Sequence, residues 1–275
     1  ADVEGFRRFL VQSEKIYRKA YEELAEKPFH SLGFTASTLI DLLRLGGHRS
    51  VHSLARRYFR EPPLRVAFSF HPLLIGGNPF ATTALYCLIT HLESRFGVHH
   101  VVGGTGALVA GMVKLLRRCG GEIHYNAEVA RIETRGDMAR TIVLADGRRL
   151  ECDLVISNVE PAFPYGKLLS QHKRRRWTDR RIARADYSMG LFVWYFGTDR
   201  RYDDVLQHNI LLGPRYRGLL DDIFRHKRLA DDFSLYLHRP TANDPGLAPA
   251  GRDTFYVLSP VPNLRGDIDW SRDAE

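Results

Sequence analysis

Three features of this 275-residue chain have the residue types and spacing for chemistry: a glycine cluster, scattered histidines and one dense basic segment. Gly103-Gly104-Thr105-Gly106, with Gly111 beyond, opens a helical stretch. Glycines at such a place let backbone N–H groups crowd onto an anion. The other parts of a nucleotide loop do not follow. Met112-Val113 stand where a P-loop needs Lys and then Ser or Thr, and no Gly-x-Gly-x-x-Gly comes after a strand. That leaves a tight helix entry with close backbone packing as the reading of the cluster.

Among twelve histidines, His91, His99 and His100 follow no His-Glu-x-x-His order and have no carboxylate at a matching helical offset, so no metal site is assigned. There is no Gly-x-Ser-x-Gly elbow, and His71, His124 and His238 have no nucleophile at fixed spacing. They read as surface histidines. Residues 173–184 place seven cations around Trp177: Lys173, Arg174, Arg175, Arg176, Arg180, Arg181 and Arg184. Such a face suits phosphates, in RNA or on an anionic membrane, and a solvated helix face accounts for it equally. An aromatic among cations fits the lipid headgroup zone. No RNP-type aromatic pattern occurs, so no nucleic-acid partner is expected.

The elements that must position these residues belong to a globular protein, 44% hydrophobic and 26% charged. A net charge of +8 biases the surface toward anionic partners. The longest apolar stretch, residues 189–197, is about half of what a bilayer-spanning helix needs. Three separated cysteines, Cys87, Cys119 and Cys152, argue against a disulfide framework and fit a reducing cytoplasm. Helical spacing predicts helices over 2–26, 38–45, 49–59, 64–70, 80–96, 107–118, 173–185 and 217–226. Strands are predicted over 122–125, 128–133, 140–145, 148–151, 189–196, 209–212, 233–238 and 254–259, with 153–157 as a further strand buried on both faces. Uneven blocks of helix and strand make the fold α+β, with two interleaved subdomains. Apolar strings such as Gly190-Leu191-Phe192-Val193-Trp194-Tyr195-Phe196 and Thr254-Phe255-Tyr256-Val257-Leu258 are mostly core. An apolar cavity between subdomains is where a large hydrophobic ligand would sit.

Several strings go beyond periodicity: Asp2-Val3-Glu4-Gly5-Phe6, the run from Ala67-Phe68-Ser69-Phe70-His71-Pro72 through Leu73-Leu74-Ile75-Gly76-Gly77-Asn78-Pro79-Phe80, and Gly103-Gly104-Thr105-Gly106-Ala107-Leu108. To these add Gly120-Gly121-Glu122-Ile123, Gly213-Pro214-Arg215-Tyr216 and Phe233-Ser234-Leu235-Tyr236-Leu237-His238. Together they closely resemble the bacterial and fungal type of phytoene desaturase, over nearly the whole chain.

The resemblance implies the middle part of a flavin amine-oxidase-like fold, with a helical substrate or lid part and a mixed β-sheet part. It implies FAD as cofactor, and desaturation of the C40 hydrocarbon phytoene toward lycopene or neurosporene by hydride transfer to flavin. The family's glycine loop for the FAD pyrophosphate and its glycine-rich closing segment are not found, so the chain reads as an internal fragment, inactive alone. On this basis residues 1–97 form a helical, membrane-associated substrate part, 98–160 complete the FAD domain, and 161–275 supply substrate-domain strands and helices. The strand of Ala127-Glu128-Val129 matches one that passes beside the adenine, which carries a backbone cofactor contact to Val129. Some members have an Asp-Arg pair shortly after Pro-Phe. This chain has Gly33-Phe34 after Pro28-Phe29, with Asp41 at a different offset, so no catalytic residue is named. The implied partners are phytoene and later carotenes, with an anionic membrane surface met by a cytoplasmic, peripheral protein. A homo-oligomer is compatible with this, and a basic RNA- or lipid-binding module without catalysis is the alternative.

Overall fold

The computed structural model describes residues 2–28 and 31–273; Phe29, of the Pro28-Phe29 pair, lies outside the described residues. The chain folds as two compact units, residues 1–105 with 188–275, and residues 106–187 between them in sequence.

In the first unit, α1 (Asp2–Tyr17) continues as a π-helical turn over Arg18–Glu23, and its apolar positions bury Phe9 and Ile16 completely. Asp2 holds the next segment by accepting from the N–H groups of Arg60 (2.8 Å) and Glu61 (3.1 Å). Gly5 is required by close approach: a Cβ there would fall 1.9 Å from the Tyr58 carbonyl oxygen. Then come α2 (Leu32–Arg44), α3 (Val51–Ala55) and α4 (Pro62–Ala67). Phe9, Val51, Leu54, Ala55, Phe59, Ala84 and Cys87 form one core. Phe59 stacks on Phe68, with ring centroids 4.6 Å apart.

The expected helix 80–96 is only half realised. Residues 84–87 are 3₁₀, and α5 begins later, at Leu88–Phe96. The backbone just before them is used elsewhere: Val51 N–H donates to Thr82 O (3.0 Å), Ala84 N–H to Arg49 O (2.8 Å), and the Thr83 hydroxyl to Gly47 O (2.7 Å). Tertiary bonding there overrides local helix propensity.

The unit's sheet contains β4 (Gly190–Thr198), β5 (His208–Leu211), β6 (Leu235–His238) and β7 (Asp253–Val261) in spatial order β4-β7-β6-β5. Between β5 and β6 lie α8 (Tyr216–Asp221) and a π-turn over Asp222–His226, which bury Leu219, Leu220 and Ile223.

The second unit holds most of α6 (Gly104–Arg118), the meander β1 (Val129–Arg135), β2 (Met138–Leu144) and β3 (Arg149–Glu151), and α7 (Asp179–Arg184). Among the described residues every strand pairing is antiparallel, where a mixed sheet was expected. Glu133 on β1 ties the meander together, meeting Arg149 at 2.5 Å and Arg131 at 2.9 Å.

Three segments of this unit differ from the structure their sequence predicts. Residues 122–125 form no strand, and Asn126 beyond them takes a left-handed turn at φ 52. Residues 153–157 are not a doubly buried strand: Leu154 and Ile156 are 74% and 87% exposed, and no described strand pairs with them. The basic helix 173–185 shrinks to α7, because the Thr178 hydroxyl caps it by accepting from Arg181 N–H (3.3 Å).

Candidate functional site

Cross-strand register decides what the large sheet presents. His208, His238, Tyr256 and Tyr195 stand opposite one another across four strands, and so do Ile210, Tyr236, Leu258 and Val193 one step along. Side chains alternate with period two, so both rows share one face. A third step brings Leu191 and Pro260 to that same face. This face is the floor of a cleft of about 270 Å³. Phe70, Leu73 and Leu74 line it from the segment after α4, and Met189 and Leu212 complete its apolar wall.

The compositionally unusual string of residues 67–80 builds that part of the wall. His71–Ile75 is a 3₁₀ turn, closed by Gly76 in left-handed geometry and by Gly77 N–H donating to Pro72 O at 2.8 Å. At Gly76 a Cβ would meet the Ser188 Cβ at 2.7 Å, so both the φ of +74 and the space exclude a side chain. Asn78 Oδ1 accepts from Phe80 N–H (2.9 Å) and fixes the exit. The cleft thus lies within the first unit, formed by sheet and turn. Its volume is near the low end of small-molecule pockets, about 300–1,000 Å³, so it takes part of a long apolar chain.

One end of the floor is polar. The Tyr236 hydroxyl lies 2.6 Å from His208 Nδ1 and 3.3 Å from His238 Nδ1. Burial first, then the neighbouring His208, holds His238 below the usual imidazole range. Burial, aided by Tyr256, raises the Tyr236 phenol above its ordinary range. His238 is therefore no surface histidine, and neither is His71, which is buried with Nε2 3.2 Å from Glu93 Oε2. His124 is exposed, as expected. Sequence reading singled out the strings but not this cluster, because only register unites residues 208, 236 and 238. Among the described residues no three His, Cys, Asp or Glu side chains are gathered to hold a metal ion.

In the second unit, Val129 opens β1, an outer strand of the meander. Ala145 N–H donates to Glu128 O (2.8 Å), while Leu144 N–H turns to Arg148 O (2.9 Å). Val129 and Leu144 are therefore a non-hydrogen-bonded pair, and the Val129 N–H and C=O point away from β2. A donor beside an acceptor on an open strand edge is the pattern that pairs with the N1 and N6 edge of an adenine.

The glycine cluster does not pack closely. Gly103 and Gly104 take φ of +83 and +76, but Cβ atoms at Gly106 and Gly111 would meet nothing within 4 Å. Gly103 N–H donates instead to Asp244 Oδ2, at 2.7 Å. Asp41 is engaged by Lys19 Nζ at 3.0 Å on the α2 surface. In the basic segment Arg174 is largely buried, bonded to Asp179 (2.6 Å) and to Trp177 O (3.1 Å), and Trp177 stacks on Tyr165 beneath Arg181. Arg175, Arg176 and Arg180 are exposed.

Relatives agree with this architecture. The chain is 46% identical to the lycopene-forming phytoene desaturase of a Paracoccus species, over 98% of this chain and 54% of that protein. It is 45% identical to the neurosporene-forming phytoene desaturase of Rhodobacter capsulatus, over 100% of this chain and 53% of that one. It thus spans about half the length of these curated relatives. An oxidoreductase from Methanosarcina mazei shares the fold, with a TM-score of 0.59 at 19% identity over 85% of this chain and 53% of that one. A Pyrococcus furiosus protein does so with a TM-score of 0.58 at 16% identity, over 82% and 52%. Residues 1–257 match the pattern of flavin containing amine oxidoreductases, and the chain belongs to that family.

Proposed function

We propose that the whole protein is an FAD-dependent desaturase that takes phytoene toward lycopene or neurosporene. The observation that carries this reading is the cleft: an almost entirely apolar floor and wall, joined to close similarity with desaturases of that substrate. A carotene offers no hydrogen-bonding group, so a site for it must select by shape and apolar contact. Phe70 and Leu73 on one side, with Ile210 and Leu258 on the other, hold the chain and exclude water. Burial of each such side chain against substrate is worth about 1.5–3 kcal/mol. FAD, when bound, supplies the two-electron acceptor for the hydride. The Val129 backbone would hold its adenine. In this reading residues 98–160 complete the cofactor domain, and 1–97 with 161–275 supply the substrate part.

A carotene dissolves in the bilayer, which calls for docking at a membrane. No described helix is long and apolar enough to cross one. Arg175, Arg176 and Arg180 supply exposed positive charge for a peripheral contact with anionic lipid. Incubating flavin-loaded full-length protein with phytoene in liposomes tests the reading. Visible absorption from a conjugated carotene supports it, and unchanged phytoene opposes it.

A further inference from the structure

Desaturation removes a hydride from one carbon and a proton from its neighbour, and the proton must leave an apolar cleft. Four polar side chains face one another at the end of its floor: His208, Tyr236, His238 and Tyr256. Tyr236 and Tyr256 line the cleft, His238 is half-buried behind them, and His208 is exposed on outer strand β5.

The shortest contact sets the direction of the chain. At 2.6 Å the Tyr236 O–H donates to His208 Nδ1, which leaves the neutral His208 proton on Nε2. His238 Nδ1 lies 3.3 Å from the Tyr236 oxygen and 3.3 Å from His208 Nδ1, beside both members of that pair. The result is a hydrogen-bonded chain from Tyr236 to His208, leading from the cleft wall to solvent. The other titratable groups near it are Tyr256 on β7, Tyr195 beyond it on β4, and His100, which sits 3.8 Å from Asp244.

We propose that Tyr236 and His208 relay the substrate proton out of the cleft, with His238 positioning the Tyr236 hydroxyl. The inference rests on the desaturase reading. One carbon would give its hydrogen and the bonding pair to flavin, the two-electron acceptor. The neighbouring C–H bond breaks, its electrons become the new π bond, and its proton goes to the Tyr236 oxygen as the Tyr236 proton moves to His208 Nδ1. The His208 imidazolium then releases a proton to bulk water. Imidazole is the group suited to this near neutral pH, and a neutral His208 is the form that accepts.

The test uses the full-length, flavin-loaded protein with phytoene in liposomes. Tyr236→Phe keeps the ring and removes the relay hydroxyl. It should lower kcat at least tenfold with KM unchanged, and should abolish the acid limb of the kcat profile. His208→Ala should fall similarly and regain activity in imidazole buffer, which a packing role would not allow. Independently of activity, ¹⁵N-histidine NMR should show the Nε2–H tautomer at His208 in the wild type and its loss in Tyr236→Phe. Wild-type kcat and pH profile in Tyr236→Phe, absence of imidazole rescue, or an Nδ1–H tautomer at His208 would each overturn the relay. A wild type that forms no conjugated carotene would overturn the desaturase reading too, whereas failure of the variants alone would leave that reading standing.

Discussion

Asp253, at the head of β7, lies 3.3 Å from the guanidinium of Arg239, and both side chains are almost wholly buried. Thr241 Oγ1 donates to one carboxylate oxygen (2.6 Å) and Tyr202 N–H to the other (2.7 Å). Arg239 also donates to the Tyr202 carbonyl. This network pins the loop after β4 and the turn after β6 to the strand at the centre of the cleft floor.

Breaking a buried pair on one side leaves an uncompensated charge, at a cost of about 3–5 kcal/mol. Asp253→Leu should therefore lower the thermal midpoint of the full-length protein by several degrees or prevent folding. Burial pushes the Asp253 carboxyl up, but Thr241, the Tyr202 N–H and Arg239 together outweigh it and hold it below the usual range. A depressed carboxyl stabilises above its unfolded value and loses that contribution as pH falls through the folded one. Stability should thus drop below about pH 4 in the wild type, and a urea midpoint series checks it.

Glu133 gives a second, separate acid limb. Its bonds to Arg149 and then Arg131 lower its carboxyl to about 2. By the same sign, the β1–β3 meander keeps this contribution above the ordinary carboxylate range and loses it as pH approaches 2. Glu133→Gln should remove the effect, read as hydrogen-exchange protection of β1 and β3 between about pH 5 and 2.

At Val129 the N–H lies outside the β1–β2 ladder, so Val129→Pro should spare the meander, as an edge strand tolerates proline. The same change removes the donor proposed for adenine. Flavin occupancy of the full-length protein, read from its visible-to-ultraviolet absorbance ratio, should fall severalfold in Val129→Pro and stay near wild type in Val129→Ala. Full occupancy in the proline variant would remove Val129 from the cofactor site.

Ile210 sits on outer strand β5 with its side chain on the cleft floor. Because it is partly exposed, Ile210→Trp should fold normally while filling the cleft. Expected is at least a tenfold loss in carotene conversion with a thermal midpoint within about 2 °C of wild type.

The basic segment needs a selective test, because Arg174 is held by Asp179 and serves local structure. Changing Arg175, Arg176 and Arg180 together to Glu should weaken flotation with anionic liposomes by at least a hundredfold in affinity, at about 1 kcal/mol per basic residue. Salt should weaken the wild type in the same direction. Flotation unchanged in the triple variant would remove the segment from membrane docking.

Much of the helical first unit was legible because its apolar residues repeat at helical spacing and the stop at Gly97 is chemically marked; the expected helix 49–59 ends early, at Ala55, and Pro62-Pro63 opens α4 instead of stopping a helix. The misjudged elements depended on distant partners. Residues 80–84 look helical alone, but Thr82 O and Ala84 N–H bond to Val51 and Arg49, and the Thr83 hydroxyl bonds to Gly47. Residues 153–157 are apolar enough for a strand, yet no described strand lies beside them. The cleft was half legible: its strings stood out as unusually apolar. Their assembly on one face needed the register Ile210↔Tyr236↔Leu258, which no local pattern encodes.

Expression of the full-length gene in a host that accumulates phytoene, with purification of the flavin-loaded protein and an absorption spectrum of the extracted pigment, tests the central claim most directly. The account predicts a conjugated carotene, with the lycopene or neurosporene spectrum replacing that of colourless phytoene. Phytoene alone, recovered from cells that contain intact flavin-loaded protein, would contradict it.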